Sequence, residues 1–179
     1  MPELTEQTLY QSLAQANWHA EGLVQRLNPP RSLRSWLTDR GSLTKKLRQL
    51  CPSLAVRVLH EQHHSPMRQE ALALQMPLNR DCWIRTVQLH CHGHPWVYAR
   101  TVIPNLTPRN PWYALKQLGN QPLGDVLFNT PHLARSQFCL AAVGTRHFAR
   151  QSIFFNKNTP LLLTEVLTET LALRLAVNA

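Results

Sequence analysis

Acids are sparse in the later part of this chain: after Asp81 only Asp125, Glu165 and Glu169 remain. Glu165 lies in the apolar run LLLTEVL at 161–167. Read as a strand, that run puts Leu161, Leu163, Glu165 and Leu167 on one face. A carboxylate on a leucine-lined face is costly to take out of water, so it must be partnered, protonated or retained for a task. Two arginines sit in equally apolar surroundings, Arg85 in CWIRTVQLHC (82–91) and Arg100 in WVYARTVI (96–103). Guanidinium is planar, stays charged and gives two parallel hydrogen bonds, so inward-facing arginines suggest an anionic ligand held away from water. The purely structural alternative is a buried ion pair of Glu165 with Arg85 or Arg100.

Other constellations offer less. Cys91, His92 and His94 resemble a metal cluster, but structural zinc wants four ligands from two separated pairs, and His60, His63 and His64 lie in or beside a polar stretch without partner spacing. A solvent-facing hairpin turn accounts for His92 and His94, and no metal site is expected. There is no G-x-G-x-x-G, P-loop, G-x-S-x-G or H-E-x-x-H, so nucleotide, serine-hydrolase and common metalloprotease chemistry lack their cradle, nucleophile or ligands.

These residues need elements to hold them. A chain of 179 residues fits one domain, with a helical first part (1–50) and a sheet-forming part (54–171). A domain of this size withdraws roughly two thirds of its unfolded surface from water, enough for a core without metal or disulfides. Residues 4–27 have helical character and end at Pro29-Pro30; Ser42 is a plausible N-cap for 43–50, where Leu43, Leu47 and Leu50 form one stripe. From Leu54 the period moves toward 2. Strands are expected at 54–60, 82–91, 96–103, 137–143, 147–155 and 161–171, the last also readable as a helix, with loop and one helical turn between 61 and 79. A short helix is expected at 112–118, followed by a turn at Pro122-Leu123-Gly124. If the hairpin turn pairs His92 with Pro95, Val87 faces Arg100 and both arginines project from one side of the sheet; a one-residue slip would separate them. Helices first and strands afterwards predict an α+β domain on an antiparallel sheet.

Composition narrows the partners. Nineteen Lys and Arg against ten Asp and Glu give a formal charge of +9, but the basic residues are scattered and not interleaved with aromatics, so no nucleic-acid surface is expected. Apolar runs are too short to span a membrane, and the start MPELTEQTLYQSLAQ does not read as a secretory leader; a cytoplasmic protein is expected. Cys51, Cys82, Cys91 and Cys139 show no C-x-x-C pair and are expected as free, mostly buried thiols. No obvious apolar surface strip is visible, which suggests a monomer.

Five segments in order then carry a family resemblance: SLTKKL (42–47), CWIRTVQL (82–89), PWVYARTVIP (95–104), ALKQLGNQPLGDVLF (114–128) and LLLTEVL (161–167). Together they resemble the chorismate pyruvate-lyases, which convert chorismate to 4-hydroxybenzoate and pyruvate at the start of ubiquinone synthesis. The resemblance implies a sheet of about six strands with helices on one side and flap loops over an internal cavity. It implies that Arg85 holds the ring carboxylate, that the Leu123 backbone N–H binds the same carboxylate, and that Glu165 faces the ring hydroxyl, as a positioning or a proton-transfer group. Arg100 matches a second arginine, for the enolpyruvyl carboxylate or the exit path. Leu43 falls where a relative has Met, as an apolar lid. No cofactor is implied, and a closed lid over an aromatic product implies slow release. The same fold resembles the effector-binding domain of a class of bacterial transcription regulators, so an aromatic-carboxylate sensor is the competing reading. Only about 40 residues precede the matched region, little room for a DNA-binding domain.

Overall fold

The computed structural model describes residues 5–177, which form an α+β fold around one antiparallel sheet. Chain order is α1 (Glu6–Ala14), β1 (His19–Ala20), a 3₁₀ segment (Glu21–Leu27), α2 (Arg31–Thr38), α3 (Leu43–Leu50), β2 (Ala55–His64), α4 (Arg68–Ala73), β3 (Cys82–Cys91) and β4 (His94–Pro104). A second 3₁₀ segment (Tyr113–Gln117) leads to α5 (Leu123–Asn129), β5 (Ala134–Arg135), β6 (Cys139–Val143), β7 (His147–Asn156), β8 (Thr159–Leu167) and α6 (Glu169–Val177). Strand order is β1-β6-β7-β8-β4-β3-β2, with β5 beside β7. Eight strands rather than about six make the sheet, because the two-residue β1 and β5 are too short to show a period.

Local chemistry sets the boundaries. Thr5 caps α1 by accepting from Thr8 N–H, and Ser42 caps α3 by accepting from Lys45 N–H at 3.2 Å. The helical stretch expected over 4–27 breaks at Ala14, gives way to β1 and resumes as the 3₁₀ segment Glu21–Leu27, and Leu4 lies outside the described residues. The polar stretch after His60 continues β2 to His64 and then forms α4; an exposed outer strand carries no apolar alternation to reveal it. At the C-terminal end both readings of 161–171 hold, on either side of Thr168. Its hydroxyl accepts from Leu171 N–H at 3.3 Å and donates to Pro95 C=O at 2.8 Å, closing β8 and opening α6.

One face of the sheet packs Leu33, Trp36, Leu37 and Leu47 of α2 and α3 on Val97, Phe148 and Leu167. The other face is not bare: Leu9 and Leu13 of α1 pack on Tyr98 and Val166, and Ala73 beside Ile84 and Val102 brings α4 down. Helices therefore cover both faces, where one was expected, since both sides of β3, β4 and β8 are apolar.

Two bulges decide which side chains meet. The β3–β4 turn is His92-Gly93, both at positive φ, 49° and 83°, so Cys91 pairs with His94. Register then shifts between Leu89 and His90, next to Pro95, which has no N–H for the ladder. Beyond the bulge Val87 faces Ala99 and Arg85 faces Thr101. Arg100 is thereby on the opposite face from Arg85, one residue off the expected pairing. In β2 a shift between Val58 and His60 brings Glu61 opposite Arg85.

The cysteines also depart from expectation. Cys51, at the end of α3, is bonded to Cys91, at the end of β3, while Cys82 is a buried free thiol and Cys139 an exposed one. Forty residues separate the bonded pair, and only the docking of α3 on the sheet brings them together. Burial pushes the Cys82 thiol up to about 12, so it stays protonated.

Candidate active site

Two cross-strand rows form the floor of an interior cavity. The register aligns Arg85, Thr101, Leu163 and Ser152 in one row and Val87, Ala99, Glu165 and Arg150 in the next. Over this floor lie Leu43 and Thr44 from the start of α3 and Leu123, Gly124, Leu127 and Phe128 from α5. The cavity is narrow, with about 30 Å³ of space open to the centre of a water molecule. The two covering helices touch closely: a Cβ on Gly124 would come within 2.8 Å of Thr44 Oγ1, so any larger residue would force that side chain to shift. Arg48 on α3 also donates to both carboxylate oxygens of Asp125 on α5, at 3.1 and 2.9 Å.

At one end of the cavity, Arg85 is buried and held from two sides. Its Nη1 donates to Glu61 Oε2 at 2.5 Å, and its Nη2 donates to Gly119 C=O at 2.6 Å and Gln121 C=O at 3.4 Å. The loop it grips is the one that ends in Leu123. Pro122 precedes Leu123 as the N-cap of α5, and Leu123 N–H, at the first position of that helix, has no carbonyl acceptor within it. A guanidinium and a backbone donor thus border the same part of the cavity.

Further along, Glu165 is nearly buried and takes a hydrogen bond from Arg150 Nε at 2.6 Å. Arg150 Nη1 also donates to Trp36 C=O at 2.8 Å and Asp39 C=O at 2.7 Å, fastening the end of α2 above the acid. Arg135 approaches Glu165 Oε2 only to 3.9 Å. Its guanidinium lies between Phe138 and Phe154, 4.3 and 4.6 Å from the ring centroids. Among the described residues, the ionisable groups lining the cavity are Arg85, Arg135, Arg150 and Glu165.

Of the five residues singled out in the sequence, Arg85, Glu165, Leu123 and Leu43 line this cavity and Arg100 does not. Arg100 is buried on the far face, where its Nε donates to Glu70 Oε1 at 2.5 Å, its Nη2 to Glu70 Oε2 at 3.0 Å and its Nη1 to Tyr10 Oη. Burial pulls this guanidinium down, but the Glu70 hydrogen bonds and charge outweigh it and leave it raised. It clamps α1 and α4 to the sheet. The buried pair foreseen for Glu165 exists, with Arg150 in place of Arg85 or Arg100. Arg150 and Arg135 were missed, although the alternation rule applied to 147–155 puts Arg150 on one face with Phe148 and Phe154.

A metal set can be traced elsewhere. Cys51, Cys91 and His92 bring one ligand atom each within 4.8 Å of one another, but the two sulfurs are joined as a disulfide and do not act as thiolates. No helix among the described residues is long and apolar enough to cross a membrane.

The chorismate lyase family profile matches residues 12–175 of the chain. The chain belongs to the chorismate lyase family. It is 45% identical over 168 residues to a protein of Hydrogenovibrio crunogenus named "Probable chorismate pyruvate-lyase", covering 86% of this chain and 91% of that one. It is 36% identical over 135 residues to the "Chorismate pyruvate-lyase" of Erwinia tasmaniensis, covering 75% of this chain and 77% of the relative. Among solved structures, the C-terminal domain of the histidine utilization repressor of Pseudomonas syringae pv. tomato aligns over 65% of this chain and 92% of its own, at 11% identity and a TM-score of 0.48. A likeness that remote carries no functional argument, and the chorismate lyase assignment rests on the sequence relatives.

Proposed function

We propose that this chain eliminates pyruvate from chorismate to leave 4-hydroxybenzoate, supplying ubiquinone synthesis in the cytoplasm, and that it acts as a monomer. The observation that carries the reading is one covered cavity lined by Arg85, the N-terminal turn of α5 and the Arg150-held Glu165. Chorismate is a cyclohexadiene dianion. Its ring carries a carboxylate at one end and, at the other, a hydroxyl beside the carbon bearing the enolpyruvyl ether.

In this reading Arg85 and Leu123 N–H take the ring carboxylate, and Leu43 caps the ring. Glu61 already shares Arg85, so the ligand's carboxylate shares or replaces that partner. The other end of the ring then faces Glu165, two strands away at about 4.8 Å per strand. Elimination removes the proton from the hydroxyl-bearing carbon. The electrons of that C–H bond complete the aromatic ring, and the pair of the breaking C–O bond leaves on the enolpyruvate oxygen, which after protonation at carbon becomes pyruvate. Aromatisation drives the step, so the protein's task is to orient the ether and to stabilise the departing oxygen with fixed positive charge. Glu165, aimed by Arg150, holds the ring hydroxyl or takes the adjacent proton.

The test is incubation of purified protein with chorismate, without added metal or nucleotide, following 4-hydroxybenzoate absorbance. Turnover is expected; a folded protein giving no product refutes the lyase reading and leaves the sensor. Glu165→Gln and Arg85→Ala, tested separately, should each lose at least tenfold in rate, about 1.4 kcal/mol of barrier. An unchanged rate removes that residue from the site.

A further inference from the structure

The substrate carries two carboxylates, and displacement of Arg100 to the far face leaves the second without its expected arginine. We propose that Arg135 binds the enolpyruvyl carboxylate, its free Nη2 edge forming a second anion subsite between Glu165 and Ser152. The inference rests on the lyase reading and deepens it.

Charge and donor accounting single out this residue. The cavity's arginines, with the acids that touch them, are Arg85 with Glu61, Arg150 with Glu165, and Arg135. Three cations meet two anions, and Arg135 is the one without an acid at hydrogen-bond distance. Its Nε donates to Ser152 Oγ at 2.9 Å and its Nη1 to Arg40 C=O at 3.1 Å, which leaves Nη2 with only the 3.9 Å approach to Glu165. Packing between Phe138 and Phe154 fixes the guanidinium plane, so little side-chain freedom is lost when an anion binds. A buried cation short of a counter-charge is costly, and burial together with Arg150 and Arg40 outweighs Glu165 and pulls this group down to about 10. It still carries its proton at neutral pH, and an incoming carboxylate would satisfy it.

The position also fits the substrate. Ser152, which Arg135 grips, ends the row that begins at Arg85, three strands away or about 14 Å between backbones. The ether is attached beside the hydroxyl-bearing carbon, so its carboxylate must lie near whatever faces the hydroxyl, and Arg135 is beside Glu165. A cation there also stabilises charge developing on the departing oxygen.

The product keeps one carboxylate and loses the other, which separates this role from general pocket maintenance. In Arg135→Gln, kcat/KM for chorismate should fall at least 30-fold, about 2 kcal/mol, while the dissociation constant of 4-hydroxybenzoate, measured by titration, stays within threefold of wild type. Arg135→Lys keeps the charge but not the fork; it should lose about fivefold or more in kcat/KM with the same product affinity, and it serves if the Gln variant does not fold. Parallel loss of product affinity, or kcat/KM within threefold of wild type in either variant, overturns the assignment while wild-type turnover leaves the lyase reading intact. Absence of turnover in the wild type removes both.

Discussion

Replacing Arg150 by Gln removes the group that holds Glu165, and the cost follows from what remains. Arg150's side chain is 1% exposed and Glu165's 11%, so water does not screen the pair. Without the guanidinium, Glu165 keeps only Arg135 at 3.9 Å, and the carbonyls of Trp36 and Asp39 lose their donor. An uncompensated buried charge of this kind costs about 3–5 kcal/mol. For a domain of this size each kcal/mol is roughly 2–4 °C in Tm, so the variant should melt about 6–20 °C lower. Arg150→Gln with Glu165→Gln leaves two neutral groups that can hydrogen-bond, and the pair should be more stable than the sum of the single losses by about 2–3 kcal/mol. Urea unfolding at pH 7, followed by circular dichroism, measures all four corners of the cycle. A single-variant cost below about 1 kcal/mol, or costs that add within about 0.5 kcal/mol, would mean that the ion pair does not anchor the acid.

Other outcomes follow from the same structure. His147 Nδ1 accepts from Glu169 N–H at 3.1 Å, and burial, aided by Arg146 against Glu169, lowers it below its ordinary 6.5. The unfolded chain therefore binds the proton more readily, and stability should be full above about 6.5 and fall as pH drops below it; His147→Asn, which keeps an acceptor, should flatten this part of the stability curve. Arg100→Met should destabilise through the stranded Glu70 by about 3–5 kcal/mol while KM for chorismate stays within twofold; a large KM rise would return Arg100 to the site. Reducing the Cys51–Cys91 bond, which closes a loop of 40 residues, should lower stability by up to about 4 kcal/mol, as read by urea midpoints with and without reductant. A chelator should leave turnover intact, and its loss would reopen the Cys51, Cys91 and His92 set as a metal site.

Much of the fold is legible in local pattern because the period of a strand or helix is written in neighbouring residues. The strands around Arg85, Arg100 and Glu165 and the helix carrying Leu43 stand close to where alternation and capping put them. The short edge elements and the exposed end of β2 have no buried face to leave a period, and α6 hides behind a strand equally rich in leucine.

Residue type and immediate neighbours already require that Glu165 and Arg85, on apolar strands, be answered by something buried, since taking a charge out of water is costly wherever its surroundings are apolar. Which groups answer them is a tertiary matter. One extra residue in β4 turns Arg100 to the far face, one in β2 turns Glu61 toward Arg85, and pairing of β7 with β8 brings Arg150 opposite Glu165. Side chains alternate with a period of two, so a single bulge exchanges the two faces of a strand, and no local pattern records where it falls.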